Sequence, residues 1–253
     1  MTLPKFLLPL LCLAASAMPA VAEEPSRPPS KGGVGVDVVG IRLGMSREAA
    51  MAAFRKHLPG VQGNDRTVVF KGSPPVTVPL GYDGVKPGDQ LVIAFSGPPS
   101  APVVIEVRRS LSMDRGKEAN YGTMLAALTD KYGKPGYIDS NRMAHVWFLD
   151  GKGGDMTRAN ACSPFGRPSL GDYARVLQSP NLQPFLENCG QLLYVRMNNF
   201  TGNPELISQM DLNLSDNDAA IKAFEATRQH IIAAGERLRS EDAEKAKANR
   251  PDL

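Results

Sequence analysis

The sequence predicts an α+β fold made of two tandem units, each with one helix and three antiparallel strands, followed by a long C-terminal helix. Two similar helix ends indicate the tandem plan, because "FRKHLPG" and "LTDKYGKPG" each close an apolar-striped stretch with glycine and proline. Strand-like runs follow each of these ends. The closing stretch has the helical period instead. This order of elements is typical of an α+β protein.

The first unit is predicted over residues 36–113. Ser46 is placed to cap a helix, which ends at Pro59-Gly60 and has its small or apolar side chains at Ala50, Ala53, Phe54 and Leu58. Three strands are predicted after it, at residues 66–72, 90–97 and 103–113. The proline and glycine content of "SPPVTVPLGYDGVKPGD" predicts a long loop between the first two strands.

The second unit is predicted over residues 114–214. Its helix, from about 117 to 132, carries one apolar stripe formed by Tyr121, Met124, Leu125, Leu128 and Tyr132. Gly133 provides a left-handed stop and Pro135 prevents continuation. Strands are predicted at residues 142–150, 191–199 and 205–214, the last two joined by the hairpin-like turn "FTGNP".

Residues 215–253 are predicted to form the C-terminal helix and a charged tail. Ser215 and Asp218 resemble a capping box, and one face of the helix carries Ile221, Phe224, Ile231 and Leu238. The shared order and relative lengths of the elements favour a true structural repeat in the two units. Chance is the competing interpretation, because any α+β protein alternates helices and hairpins.

The N-terminus has the layout of a secretory signal peptide over residues 1–22. Lys5 precedes an apolar run, and the small residues Ala20 and Ala22 precede the cleavage point. Cys12 does not follow the small residue that a lipidated cysteine needs. A flexible leader is predicted at residues 23–35. The mature chain is therefore expected in the periplasm or outside the cell, without a stable membrane anchor; a retained N-terminal anchor is the alternative.

Cys162 and Cys189 remain after cleavage, and an even pair in an oxidising compartment predicts a disulfide. The alternative, a reactive or metal-binding pair, lacks CxxC spacing and nearby histidines. The formal net charge is +3 over 253 residues. Such a near-neutral chain gives no reason to expect nucleic acid as a partner.

Motifs for known chemistries are missing from the sequence. His57, His145 and His230 stand in none of the local metal-binding spacings, and no GxSxG nucleophile motif is present. "DGKGGD" lacks the glycine spacing and the Ser or Thr of a phosphate loop. We therefore predict no catalytic, cofactor or metal site from local motifs.

A binding surface is easier to predict. The strand from Leu192 to Met197 and the strand ending at Leu214 alternate between an apolar side and a mixed side. Trp147, Tyr194 and Arg196 are the candidate partner-binding residues on the mixed side, since these residue types are enriched at protein–protein hot spots. The alternative for Trp147 is a core position, because its strand is apolar on both sides.

"GIRLGMSREAAMAAF" resembles the opening of many exported bacterial proteins, and "LTDKYGKPG" before a strand with "VWF" is similar to later segments of such proteins. The tandem plan also resembles beta-lactamase inhibitory protein and the small outer-membrane assembly lipoproteins. This resemblance implies a helical layer on one sheet face and a partner-binding opposite face. Without a lipidated cysteine, and with one candidate disulfide, the chain does not take over those families' membrane placement or binding residues.

The sequence thus leads to three functional hypotheses. The first is a non-enzymatic exported protein that binds another protein or an envelope component through a sheet face. The second is a hydrolase with dispersed residues, using His145 with carboxylates of the disulfide loop such as Asp172 and Glu187. The third is a small-ligand-binding protein with a cleft between the two units. The sequence does not predict the oligomeric state.

Overall fold

The computed structural model describes residues 35–70, 75–151, 153–163, 189–199 and 202–248. The predicted signal peptide and nearly all of the leader lie outside these residues. The first part of the chain contains β1 (Asp37–Val38), β2 (Ile41–Arg42), α1 (Arg47–His57), β3 (Asn64–Phe70), β4 (Val76–Lys86), β5 (Asp89–Phe95) and β6 (Val104–Ser112). The second part contains β7 (Ala119–Asn120), α2 (Tyr121–Tyr132), β8 (Tyr137–Ile138), β9 (Ala144–Phe148), α3 (Met156–Ala161), β10 (Gln191–Asn198), β11 (Leu206–Ile207), β12 (Gln209–Asp216) and α4 (Asn217–Ala248).

The central feature is an eight-stranded sheet with the strand order β3-β4-β5-β6-β12-β10-β9-β8. All of its neighbouring strands are antiparallel. Helix α1 precedes the four strands on one side of the sheet, and α2 precedes the four on the other side. The two sets meet where β6 pairs with β12, from Ser112 opposite Gln209 to Glu106 opposite Ser215. The predicted mixed α+β class is confirmed.

The predicted long loop between the first two strands is wrong. Residues 76–86 form β4, so four strands of the sheet follow each helix and not three. One of the prolines that suggested a loop, Pro79, pairs with Thr67 of β3, whereas the pairing of β4 with β5 begins only at Gly81. Pro79 therefore lies in a part of β4 that has a strand on one side only, where a missing N–H is tolerated.

The helix ends follow local backbone chemistry. Ser46 caps α1 by accepting a hydrogen bond from the backbone N–H of Ala49, and Gly133 ends α2 with φ +81°, both as predicted. The predicted cap of the last helix is wrong by one residue. Asp216 accepts from the N–H of Ala219, while Ser215 belongs to β12.

One face of the sheet, here called the helix-pair face, is covered by α1 and α2. Phe54 of α1 is fully buried and meets the Tyr82 ring edge-on, with 5.0 Å between the ring centroids. Gly84 lies directly beneath, and a Cβ there would come within 2.4 Å of the Phe54 ring. The large core of this face also contains Leu91, Ile93, Val107, Tyr121, Leu128, Leu193, Val195, Leu212 and Leu214.

Asp89 is nearly buried between the end of α1 and the sheet. Arg109 donates two hydrogen bonds to its carboxylate, at 3.0 and 2.9 Å, and His57 Nε2 lies 2.9 Å from Oδ2. Burial alone would raise the pKa of Asp89, but these two partners outweigh it and hold the pKa below its usual value. The cluster therefore ties α1 to β5 and β6.

The other face, here called the α4 face, carries two separate apolar clusters. Helix α4 packs on the first cluster, formed with β3 to β6 by residues that include Val68, Val78, Leu80, Ala94, Ile105 and Phe224. Helix α3 and the cysteines pack on the second cluster, which includes Val146, Ala159, Leu192 and Tyr194. The predicted disulfide between Cys162 and Cys189 is confirmed.

Candidate functional site

A strip of polar side chains separates the two apolar clusters of the α4 face. It is formed by three adjacent central strands and is called the polar strip below. Its members are Glu106, Arg108 and Ser110 of β6, Asp211, Asn213 and Ser215 of β12, and Tyr194, Arg196 and Asn198 of β10.

Strand register places these side chains on one face. Arg108 is paired with Asn213, which is paired in turn with Tyr194. This row continues to Val92 on one side and to Val146 on the other. Val92 packs against the first apolar cluster, and Val146 belongs with Tyr194 to the second. Directly paired residues of antiparallel strands point to the same side of a sheet, so the strip faces α4 and α3.

Hydrogen bonds link the members of the strip. Glu106 accepts from both Arg108 Nε and Asn213 Nδ2, and Ser110 Oγ donates to Asp211 Oδ1 at 2.6 Å. Such a network holds polar side chains in fixed positions within a sheet. The strip contains two arginines and two carboxylates, so its formal net charge is zero.

The strip combines buried and accessible groups. Asn213 is 2% exposed and Glu106 is 6% exposed, whereas the Arg108 side chain is 28% exposed. Arg196, Ser110 and Asn198 are also half-buried. The buried members thus position a row of half-exposed donors and acceptors that a second molecule can reach.

Two of the three predicted partner-binding residues, Tyr194 and Arg196, belong to the strip. Arg196 Nε donates to Asn198 Oδ1 at 3.0 Å, and the Tyr194 ring is 7% exposed. The alternation of the strand ending at Leu214 had placed Asp211 and Asn213 on a mixed side, but the β6 members were missed, because "EVRRS" does not alternate strictly in polarity. Their common location depends on the pairing of β6 with β12, more than 90 residues apart in sequence.

The prediction that Trp147 shares this surface is wrong. Trp147 pairs with Leu193 and lies on the helix-pair face, opposite to Tyr194 and Arg196. Its side chain is 3% exposed, and its Nε1 donates to the Gly133 carbonyl at 2.7 Å. The core alternative for Trp147 is therefore the correct one.

His145 also lies on the helix-pair face, completely buried in β9. The Tyr121 hydroxyl lies 3.0 Å from its Nε2, and its ring stacks on Trp147 with the centroids 6.4 Å apart. Nδ1 has no hydrogen-bond partner among the described residues. The Cys162–Cys189 bridge lies in the cluster on the opposite face, so the sheet separates His145 from the ends of the disulfide loop.

Burial lowers the pKa of His145 below its usual value, and the Asp139 carboxylate opposes this only in part. Burial likewise raises the pKa of the Tyr121 phenol. Both groups are therefore favoured in their neutral forms. This behaviour is that of a core histidine, and Asp172 and Glu187, the carboxylates named in the hydrolase hypothesis, lie outside the described residues.

The pKa of His145 predicts acid sensitivity. The unfolded chain, with a histidine pKa of about 6.5, takes up this proton before the folded chain does. Stability is therefore complete above about pH 6.5 and is lost as the pH falls below it, by at most about 1.4 kcal/mol per pH unit. Urea unfolding between neutral and mildly acidic pH measures the slope.

His145→Phe is expected to flatten this pH dependence, whatever its effect on stability at neutral pH. His230→Gln serves as the control, because His230 is exposed on α4, and is expected to retain it. Equal slopes for wild type and His145→Phe would show that another group titrates.

No group of three or more metal-ligating side chains occurs in the described parts of the chain. No described helix combines the length and apolar character needed to cross a membrane. Comparison with protein-family models, curated proteins and solved structures finds no match. The resemblance to beta-lactamase inhibitory protein and assembly lipoproteins thus stays a prediction.

Proposed function

We propose that this chain is an exported, non-enzymatic protein that binds another protein or an envelope component through the polar strip. One observation carries the proposal: three adjacent central strands place neighbouring polar side chains between two apolar clusters on one sheet face. An antiparallel sheet can leave a polar face to solvent, but on this face helices cover an apolar cluster on each side of the strip. Here the polar residues occupy the centre of the face and not its rim.

The composition of the strip suits recognition of a polar surface. Arginine and tyrosine are frequent among residues that dominate binding energy. The buried hydrogen bonds of Glu106 and Asp211 hold their neighbours in place, so little conformational entropy is lost on binding. The balanced charges favour a partner that offers both donors and acceptors over a polyanion.

We further infer that the chain is a tandem repeat. One unit consists of α1 with β3 to β6, and the other consists of α2 with β8, β9, β10 and β12. The polar strip lies where the last strands of the two units pair. In this interpretation the binding surface is formed by strands of both units together. The small-ligand-binding hypothesis assumed a cleft between the units, and in this interpretation the paired strands β6 and β12 occupy that position.

Export is supported by two features of different kinds. The first 22 residues have the composition of a signal peptide. The Cys162–Cys189 disulfide fits an oxidising compartment. A partner is therefore to be sought in the envelope or outside the cell.

Affinity capture from the host's envelope fraction tests the proposal. Arg196→Ala is expected to reduce recovery of the partner about tenfold or more, as for a hot-spot residue. Arg196→Lys is expected to recover part of the loss because it keeps the charge. Arg115→Ala, an exposed arginine outside the strip, is the matched control. Equal recovery with all variants would remove the strip as the binding surface.

A further inference from the structure

Strand β3 is one edge of the eight-stranded sheet and is seven residues long. Among the described residues, its neighbour in the sheet is β4 alone. Strand β8, at the other edge, has only two residues. A long edge strand presents backbone donors and acceptors that can pair with another strand. The β3 edge is thus the extended pairing surface of this sheet.

The second half of β3 is apolar. Val68 and Phe70 point into the cluster under α4, while Val69, on the other side, is 50% exposed. Protective features are confined to the first half, which carries Asp65, Arg66 and a register shift after Arg66. The residues from Thr67 to Phe70 remain suitable for pairing.

Helix α4 extends beyond the apolar cluster that it covers. Its residue Thr227 lies over Gly97 at the end of β5, and Ile231 packs against the cluster that includes the β3 residues. Beyond it, residues 232–247 of α4 contribute to none of the three cores. The seven-residue step from Ile231 to Leu238 advances about 10 Å along the helix axis, a length equal to the width of about two neighbouring strands.

The apolar stripe of α4 continues past this cluster. Phe224, Ile231 and Leu238 are seven residues apart and lie on one side of the helix. The first is fully buried and the other two are half-buried, and Leu238 belongs to none of the cores. The helix therefore presents its apolar side beyond the described cores of its own chain.

We propose that a second copy of this chain supplies the missing sheet. Two β3 strands pair antiparallel about a two-fold axis perpendicular to the sheet, which joins two eight-stranded sheets into one. This symmetry keeps both α4 helices on the same face, and the far half of each lies across the partner's first strands. Closed two-fold dimers are the commonest oligomers.

Charge favours a second copy as the occupant. Residues 236–247 of α4 hold four acidic and four basic side chains, and β3 holds one of each sign at 65 and 66. Identical surfaces of this kind do not repel each other, and opposite signs can face across a two-fold axis. In an antiparallel dimer, β3 of one copy also pairs with an identical strand of equal length in the second copy.

Sedimentation equilibrium of the mature protein tests the inference. Wild type is expected to form dimers, and Val69→Lys is expected to weaken dimerisation at least about tenfold, since lysine on an edge strand opposes pairing. Val85→Lys is the matched control, because Val85 is 59% exposed but lies in β4, beyond the residues that pair with β3. This variant is expected to dimerise like wild type.

Cysteine crosslinking keeps the test decisive if Val69→Lys does not fold. A short bis-maleimide is expected to link Val69→Cys into covalent dimers and to leave Val85→Cys monomeric. A monomeric wild type at all concentrations, or dimers unaffected at position 69, would overturn the proposal. Neither result bears on the polar strip, which is tested separately by affinity capture with the Arg196 variants.

Discussion

Replacing Trp147 with alanine is expected to lower the free energy of unfolding by about 3–5 kcal/mol, the range for removing a buried large aromatic side chain. The ring is 3% exposed, meets the Tyr132 ring at 6.0 Å and stacks on His145. Its loss also leaves the Gly133 carbonyl at the end of α2 without its donor. Since small domains have total stabilities of about 5–15 kcal/mol, urea unfolding will detect this change easily.

Two further variants serve as comparisons: one separates the hydrogen bond of Trp147 from its apolar contacts, and the other is an exposed control. Trp147→Phe keeps most of the apolar contact and loses the hydrogen bond, so a loss of about 1–2 kcal/mol is expected from the bond. Ile232→Ala, at a 45% exposed site of α4, is expected to stay within about 0.5 kcal/mol. A Trp147→Ala protein as stable as the Ile232→Ala protein would show that Trp147 is not part of the core.

Removal of the disulfide by Cys162→Ala with Cys189→Ala is expected to destabilise the protein by about 3–4 kcal/mol. The cysteines are separated by 27 residues in sequence, and the crosslink restricts the unfolded chain over that length. Both cysteines are also nearly buried in the cluster with Ala159 and Leu192. The unfolding midpoint in denaturant measures the effect.

A reductant provides an independent control for this prediction. Wild type in reductant is expected to approach the midpoint of the double variant, whereas the double variant itself is expected not to respond. If the double variant has the same unfolding midpoint as wild type, the disulfide does not contribute to the stability of the protein.

Much of the fold could be predicted from local sequence. Ser46 and Gly133 mark helix ends through backbone chemistry that depends only on neighbouring residues. The alternation of β10 is also local, and the structure has this strand at residues 191–198, whereas the strand predicted at 205–214 is divided into β11 and β12. These features depend on few long-range contacts.

The wrong predictions concern features that depend on pairing between strands distant in sequence. Pro79 argued for a loop because the sequence does not reveal that β5 begins to pair only at Gly81. Trp147 was grouped with Tyr194 because alternation fixes faces within a strand but not between strands. Only the register, with Trp147 opposite Leu193, settles that relation.

The candidate site was predictable only in part for the same reason. Tyr194 and Arg196 were identified from residue type and alternation, but Glu106, Arg108 and Asn213 come together through the pairing of β6 with β12. A sequence gives no local signal for such a junction. The buried state of His145 likewise depends on α2 lying over β9.

Site-specific photocrosslinking in the native host tests most directly whether the polar strip binds a partner. A photoreactive side chain at Ser110 or Asn198, both half-buried in the strip, is predicted to form adducts with a molecule other than this chain. The same side chain at Ile138, which is 41% exposed on the far edge strand, is predicted to form none. Adducts that are absent at the strip, or equally abundant at Ile138, would contradict the proposed function.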